Sequence, residues 1–125
     1  IQVADCAPLL FVDEKTHSLA VVHAGWRGAV ARIASKTVAT MQKEFGAQPE
    51  SIKVGIGPCL CAACFEIGDE VATAANEIAP HAISDEYSKP HLDLNALLRH
   101  DLKNAGIAST HIEVLGRCPR CENDV

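Results

Sequence analysis

Two short apolar runs rich in Leu and Val, Pro8 to Val12 and Ser18 to His23, stand on either side of the polar segment Asp13-Glu14-Lys15-Thr16-His17. That arrangement predicts an antiparallel pair of strands. Such a pair fixes more than its own residues, because it also brings together what lies at its open end. At that end are Ala4-Asp5-Cys6-Ala7-Pro8-Leu9-Leu10 and Val22-His23-Ala24-Gly25-Trp26-Arg27-Gly28, each a point where an apolar run meets turn-forming residues. A thiolate and an imidazole set on adjacent strands can bind a soft or borderline divalent metal such as zinc, or act as nucleophile and base. The spacing alone leaves both readings open.

Further along, Gly28 to Phe45 carries Val30, Ile33, Ala34, Val38 and Met41 as a helical stripe, with Gly46 as a C-terminal stop. Ser51 to Ile56 alternates as a strand and breaks at Gly57-Pro58. Asp69 to Ala79 suits a helix whose acidic start matches the positive end of the dipole, whose inner face is Val71, Ala74, Ala75 and Ile78, and which Pro80 ends. Leu92 to Ala105 predicts another, with Asp93 as N-cap, Leu94, Leu97, Leu98 and Leu102 inward, and Gly106 after it. His111 to Leu115 reads as a last strand. Helices and strands mix without strict alternation, so the expected class is α/β or α+β with a mixed sheet. No internal repeat, linker or low-complexity segment divides the chain, and residues 1–125 are expected to form one domain.

Composition narrows the function. Apolar residues make up 48% of the chain and aromatics only 4%, which predicts an aliphatic core. A net charge of −5 without a basic cluster argues against nucleic-acid binding through phosphate neutralisation. No apolar run is long enough to span a bilayer. The six cysteines sit in a chain large enough to build a core without disulfide staples, so reduced thiols and a cytoplasmic location are expected. His17, His81, His91, His100 and His111 fall in turns or on polar helical faces, where most are expected to be exposed.

The motifs Ala4-Asp5-Cys6 with Pro8-Leu9-Leu10, His23-Ala24-Gly25-Trp26-Arg27-Gly28, Gly57-Pro58-Cys59 leading to Phe65-Glu66-Ile67-Gly68, then Asp93-Leu94 and Cys118 resemble those of the YfiH or laccase-domain family. Its members are called polyphenol oxidases and purine nucleoside phosphorylases. The resemblance covers nearly every residue and is most specific at the block around His23. It implies a layered sandwich fold of the YfiH type. Members are about twice this length, which implies that this chain is the central to C-terminal portion of such a domain. The start on Ile1-Gln2-Val3 without an initiator Met, and the stop at Cys121-Glu122-Asn123-Asp124-Val125, agree with that expectation.

In the family, the positions of Cys6 and His23 look like zinc ligands, joined by a further His from a segment upstream. Three protein ligands leave a fourth position open, the arrangement of catalytic zinc. The bland alternatives are a small buried Cys and a hydrogen-bonded strand-end His. Arg27 stands in a Gly-flanked turn where its guanidinium can grip phosphate or carboxylate bidentately, and a positive charge at a helix start opposes the dipole, which favours a functional role. Trp26 either stacks on a base or covers the sheet. Asp5 is expected to orient a ligand, and Glu66 to carry a proton or bind substrate, both largely by resemblance. Cys61 to Cys64 and Cys118 to Cys121 repeat a C-x-x-C spacing, which permits a four-thiolate zinc knot, although their separation exceeds that of a usual zinc ribbon. Cys59 and Cys118 are alternatively just neighbours of the cleft.

The resemblance implies a zinc-dependent purine nucleoside phosphorylase with adenosine deaminase activity, acting on purine nucleosides and phosphate. Three alternatives stand beside it: a copper-dependent polyphenol oxidase, a cysteine hydrolase using Cys6 and His23, and a fragment inert in isolation. One Cys and a few His do not supply the sites of a multicopper oxidase, and the single Met offers little axial ligation. Monomer and homodimer remain equally open.

Overall fold

The structure is a computed structural model that describes residues 6–121. β1 (Ala7–Asp13) and β2 (Ser18–Ala24) form the expected hairpin, with Pro8 opposite His23 and Asp13 opposite Ser18. Side chains close its turn. The buried Asp13 carboxylate accepts the Thr16 hydroxyl at 2.7 Å and the Lys15 N–H at 3.3 Å. Thr16 has one proton to give, so in its 2.7 Å contact with Ser18 the serine is the donor.

The chain then runs through α1 (Trp26–Val30), α2 (Ile33–Phe45), β3 (Ile52–Ile56), α3 (Asp69–Ile78), β4 (Ile83–Ser84), β5 (His91–Leu92), α4 (Leu94–Asn104) and β6 (Ile112–Val114). The main sheet has the order β2-β1-β3-β6, and β4 and β5 make a separate pair. β3 lies antiparallel to β1, with Leu9 opposite Ile56, while β6 lies parallel to β3, with Ile56 opposite Val114. This is the expected mixed sheet with flanking helices. Alternation along the strands sends Leu9, Phe11, Ile52, Val54 and Ile56 into one core with Val38, Met41, Leu97, Leu98 and Leu102 from the helices. The opposite sheet face exposes Leu10, Leu19 and Val21.

α3 and α4 follow the sequence closely, and the Asp93 carboxylate accepts the Ala96 N–H at 3.1 Å as the N-cap of α4. The helix expected over Gly28 to Phe45 is instead two helices. Arg32 adopts a left-handed conformation, with φ of 62°, and separates α1 from α2. A substitute for the missing local cap comes from far along the chain. The buried Asp101 on α4 accepts the Ser35 N–H at 3.1 Å and also the Ser35 hydroxyl, which lies 3.3 Å from the Asp101 carbonyl as well. A donor left open at the start of α2 is thereby satisfied across the helix–helix contact. His91 also departs from expectation. It is buried on β5, where its Nδ1–H donates to the Ala62 carbonyl at 2.6 Å and Tyr87 stacks on it at 3.9 Å.

Two outcomes follow. Asp101→Ala is expected to lower stability by about 1–3 kcal/mol in urea unfolding, since it strips the Ser35 N–H of its acceptor and leaves the Ser35 hydroxyl only the Asp101 carbonyl. The Thr16 hydroxyl, with Ser51 and the backbone, holds the Asp13 carboxyl below its ordinary value against the opposing effect of burial. A carboxyl lowered in the folded state stabilises fully above its unfolded value of about 3.9 and loses that contribution as pH falls through the folded value. Acid unfolding of Asp13→Asn should therefore show a shallower pH dependence below about pH 4 than the parent chain.

Candidate functional site

Cys6 lies at the foot of β1, and His23 is the next-to-last residue of β2. In the hairpin register His23 faces Pro8, on the sheet face away from the core. Cys6 turns toward the segment after His23, so close that a Cβ added at Gly25 would lie 3.1 Å from its sulfur. Glycine there lets the sulfur approach without having to yield a few tenths of an ångström to a side chain. Cys6, His23, Trp26 and Arg27 line one cavity of about 500 Å³, with Leu60, Phe65 and Leu94 as apolar walls. This volume lies within the range of small-molecule sites.

Arg27 belongs to a single-turn helix, so the dipole penalty expected of it is small. What orients it is Trp26: the guanidinium carbon lies 4.7 Å from the indole centroid. Trp26 itself packs against the core, so it serves as the platform for Arg27 as well as covering the sheet. Among the described residues no hydrogen bond joins Cys6 to His23. Glu66 is not among the residues lining the cavity; it is exposed, with Lys89 Nζ at 3.9 Å from its carboxylate. Asp5 lies outside the described residues.

A soft sulfur and a borderline imidazole nitrogen line one cavity, a donor pair chemically suited to a divalent metal such as zinc. A cluster of copper ions would need several more imidazoles than these residues bring. Met41 is sealed in the core and cannot serve as an axial ligand.

Sequence spacing understated the second sulfur group. The Sγ atoms of Cys61, Cys64, Cys118 and Cys121 all lie within 4.8 Å of one another, an arrangement able to hold a metal ion. The separation along the chain is closed by the parallel pairing of β3 with β6. Parallel strands end side by side, so the loops that follow them leave together. Leu115 N–H donates to the Ile56 carbonyl at 3.0 Å and Cys59 N–H to the Arg117 carbonyl at 3.2 Å, extending the contact beyond the strands.

The thiols here do not behave alike. Burial, aided by the negative charge of Asp93, pushes the Cys59 thiol up to about 11, and its sulfur donates to Asn95 Oδ1 at 3.4 Å. Cys59 is thus held as a neutral thiol. Burial also opposes ionisation of Cys118, but hydrogen bonds from the backbone around Cys61, Cys121 and Arg120 win and pull it down to about 6. Cys121 is pushed up to about 12, chiefly by the Cys64 sulfur.

The sequence matches the family described as multi-copper polyphenol oxidoreductase laccase over residues 1–125. The chain belongs to this family. Adenosine deaminase RL5, from an unknown prokaryotic organism, is 39% identical over 98% of this chain and 48% of its own length. A purine nucleoside phosphorylase of Bacteroides thetaiotaomicron is 38% identical over 99% of this chain and 48% of its own. Among solved structures, YlmD from Geobacillus stearothermophilus superposes with a TM-score of 0.90 at 32% identity, covering 97% of this chain and 47% of that one. YfiH from Bacillus licheniformis gives the same TM-score at 30% identity. The chain spans about half the length of the curated relatives it matches. No helix among the described residues is long and apolar enough to cross a membrane.

Gly57 opens the loop that carries Cys59, Cys61 and Cys64. Its N–H donates to the Pro8 carbonyl at 2.9 Å, and a Cβ there would meet the Pro8 ring at 2.7 Å. Gly57→Ala is expected to destabilise the chain by about 1–3 kcal/mol in urea unfolding. An unchanged midpoint would mean that the Pro8 ring moves aside freely.

Proposed function

We propose that the protein containing this chain is a zinc-dependent purine nucleoside phosphorylase with adenosine deaminase activity, and that Cys6, His23 and Arg27 carry its site. The observation that supports this most is the convergence of the three side chains on one cavity, in a chain whose relatives include enzymes named for both reactions. Cys6 and His23 would hold the metal, which when bound supplies Lewis acidity toward water or substrate oxygen. Arg27, stacked on Trp26, presents a pre-oriented fork to phosphate. Phe65, Leu60 and Leu94 offer apolar surface to a purine ring and keep bulk water from it.

In phosphorolysis the bond between the purine nitrogen and C1′ breaks, a phosphate oxygen bonds to C1′, and the purine leaves with a proton. Arg27 is placed to hold that phosphate while positive charge grows on the sugar. In deamination water adds at C6 and ammonia departs, so phosphate is not consumed. The two reactions therefore separate by their dependence on Arg27 and phosphate. The cysteine-hydrolase reading fits less well, because no hydrogen bond pre-pairs Cys6 with His23 among the described residues. For the same site, phenol oxidation by copper is the reading that the family description keeps in play.

The full-length protein, loaded with zinc, should convert adenosine to adenine and ribose 1-phosphate when phosphate is present, and to inosine with or without it. Cys6→Ala and His23→Ala should each lower both rates by at least about a hundredfold. Arg27→Ala should raise the KM for phosphate by about 10- to 100-fold, the effect of losing a charged hydrogen-bonding partner, and leave deamination nearly intact. Absence of both products from the zinc-loaded parent overturns the reading. Rapid alkylation of Cys6 despite bound zinc, with a covalent substrate adduct, would place the cysteine hydrolase first.

A further inference from the structure

We propose that Cys61, Cys64, Cys118 and Cys121 bind one zinc ion in a closed four-thiolate site, separate from the Cys6/His23 cleft, and that this ion anchors the wall of the cleft. Two C-x-x-C pairs supply the ligands, and the β3–β6 pairing delivers both to the same end of the sheet. The sulfur geometry is specific. The Cys64 and Cys121 sulfurs lie 3.4 Å apart and the Cys61 and Cys121 sulfurs 3.7 Å apart. Zinc–thiolate bonds of about 2.3 Å in a tetrahedron place the sulfurs about 3.8 Å apart. A disulfide needs about 2.05 Å, and none of the six cysteines is bridged. All four sulfurs lie within 4.8 Å of one another, close enough for one ion to contact all four.

All four positions are filled by protein, so no place remains for substrate or reactive water, and the site is of the structural kind. Binding converts the thiols to thiolates and releases their protons to solvent. The backbone is already arranged for it. The buried His91 donates to the carbonyl of Ala62, between the first two ligands, and Cys59 N–H and the Arg117 carbonyl join the two loops just before the cluster. The consequence for the cleft is direct: Leu60 precedes Cys61 and Phe65 follows Cys64, and both line the cavity with Cys6 and His23. The knot thus fixes from outside the two apolar side chains that face the catalytic candidates. The site does not depend on which reaction the cleft performs.

The test is metal content and zinc-edge X-ray absorption of the full-length protein in the Cys6→Ala/His23→Ala background, where the cleft site is removed. One zinc per chain with four sulfur neighbours at about 2.3 Å is expected, and adding Cys61→Ser/Cys118→Ser should remove that equivalent. Should the quadruple variant fail to fold, titration of the cleft double variant with a mercurial reagent decides instead, with one zinc released per four thiols modified. A cleft variant that purifies without zinc, that carries iron in its place, or whose four cysteines appear by mass as two disulfides overturns the proposal.

Discussion

β1 is hydrogen-bonded along both edges, and its two registers place the residues of the cleft. Against β2, its register puts His23 opposite Pro8 and leaves Cys6 beside Gly25. Against β3, it sets where that strand ends and the Gly57-Pro58 loop begins. A slip of one residue in the first pairing would turn His23 into the core and empty the cleft of its imidazole. The same slip would turn Ala20 and Val22 of β2, which pack against the core, out of it. The hydrophobic pattern that holds the hairpin in register is therefore also what specifies the site. Function and stability are coupled through one strand.

The legible parts of the fold are those whose causes are local. The hairpin is written in two apolar runs around a polar turn, α4 in a leucine stripe behind Asp93, and the end of α3 in Pro80. The illegible parts have causes distant in sequence. Nothing near Arg32 announces that the apolar stripe from Val30 to Met41 is broken into two helices; the acceptor that makes the break tolerable is Asp101, on another helix. His91 looked like a turn residue because its neighbours Ser88, Lys89 and Pro90 are turn formers, yet pairing with β4 and the Ala62 carbonyl draws it inward. The cysteine pairs stand farther apart along the chain than those of a usual zinc ribbon. Chain separation was the wrong measure, because a parallel strand pair makes residues after Ile56 and after Val114 neighbours whatever lies between. Of the cleft, Cys6, His23 and Arg27 were legible from motif and resemblance. Leu60 and Phe65 were not, because a wall residue has no signature apart from the fold that turns it inward.

The two sulfur groups show how donor number, rather than donor type, separates roles. Cys6 and His23 are two candidate donors lining a cavity with an arginine and an apolar wall around them. The four-cysteine cluster offers four thiol donors at one end of the sheet. A metal with open positions can meet substrate, whereas one with none can only hold chain segments together. Arg27 follows a similar logic. Its long side chain would sample many rotamers in water, and the indole of Trp26 narrows them. The single-turn α1, entered through Gly25, brings the two residues together.

The loop from Gly57 to Phe65 joins these elements mechanically. It has little regular structure of its own, only a short 3-10 turn over Ala62–Cys64, so its shape must come from what grips it. Gly57 is bonded to Pro8 on β1, Cys59 to Asn95 on α4 and to Arg117 after β6, Ala62 to His91 on β5, and Phe65 to Leu92. These grips come from β1, α4, β5 and the segment after β6, and Leu60 and Phe65 of this loop line the cleft. A segment held by five hydrogen bonds to partners outside it transmits any change in one anchor to the side chains between. The cleft wall is thus as rigid as the weakest of those anchors, and the Cys61 and Cys64 sulfurs add contacts to the Cys121 sulfur at 3.7 and 3.4 Å.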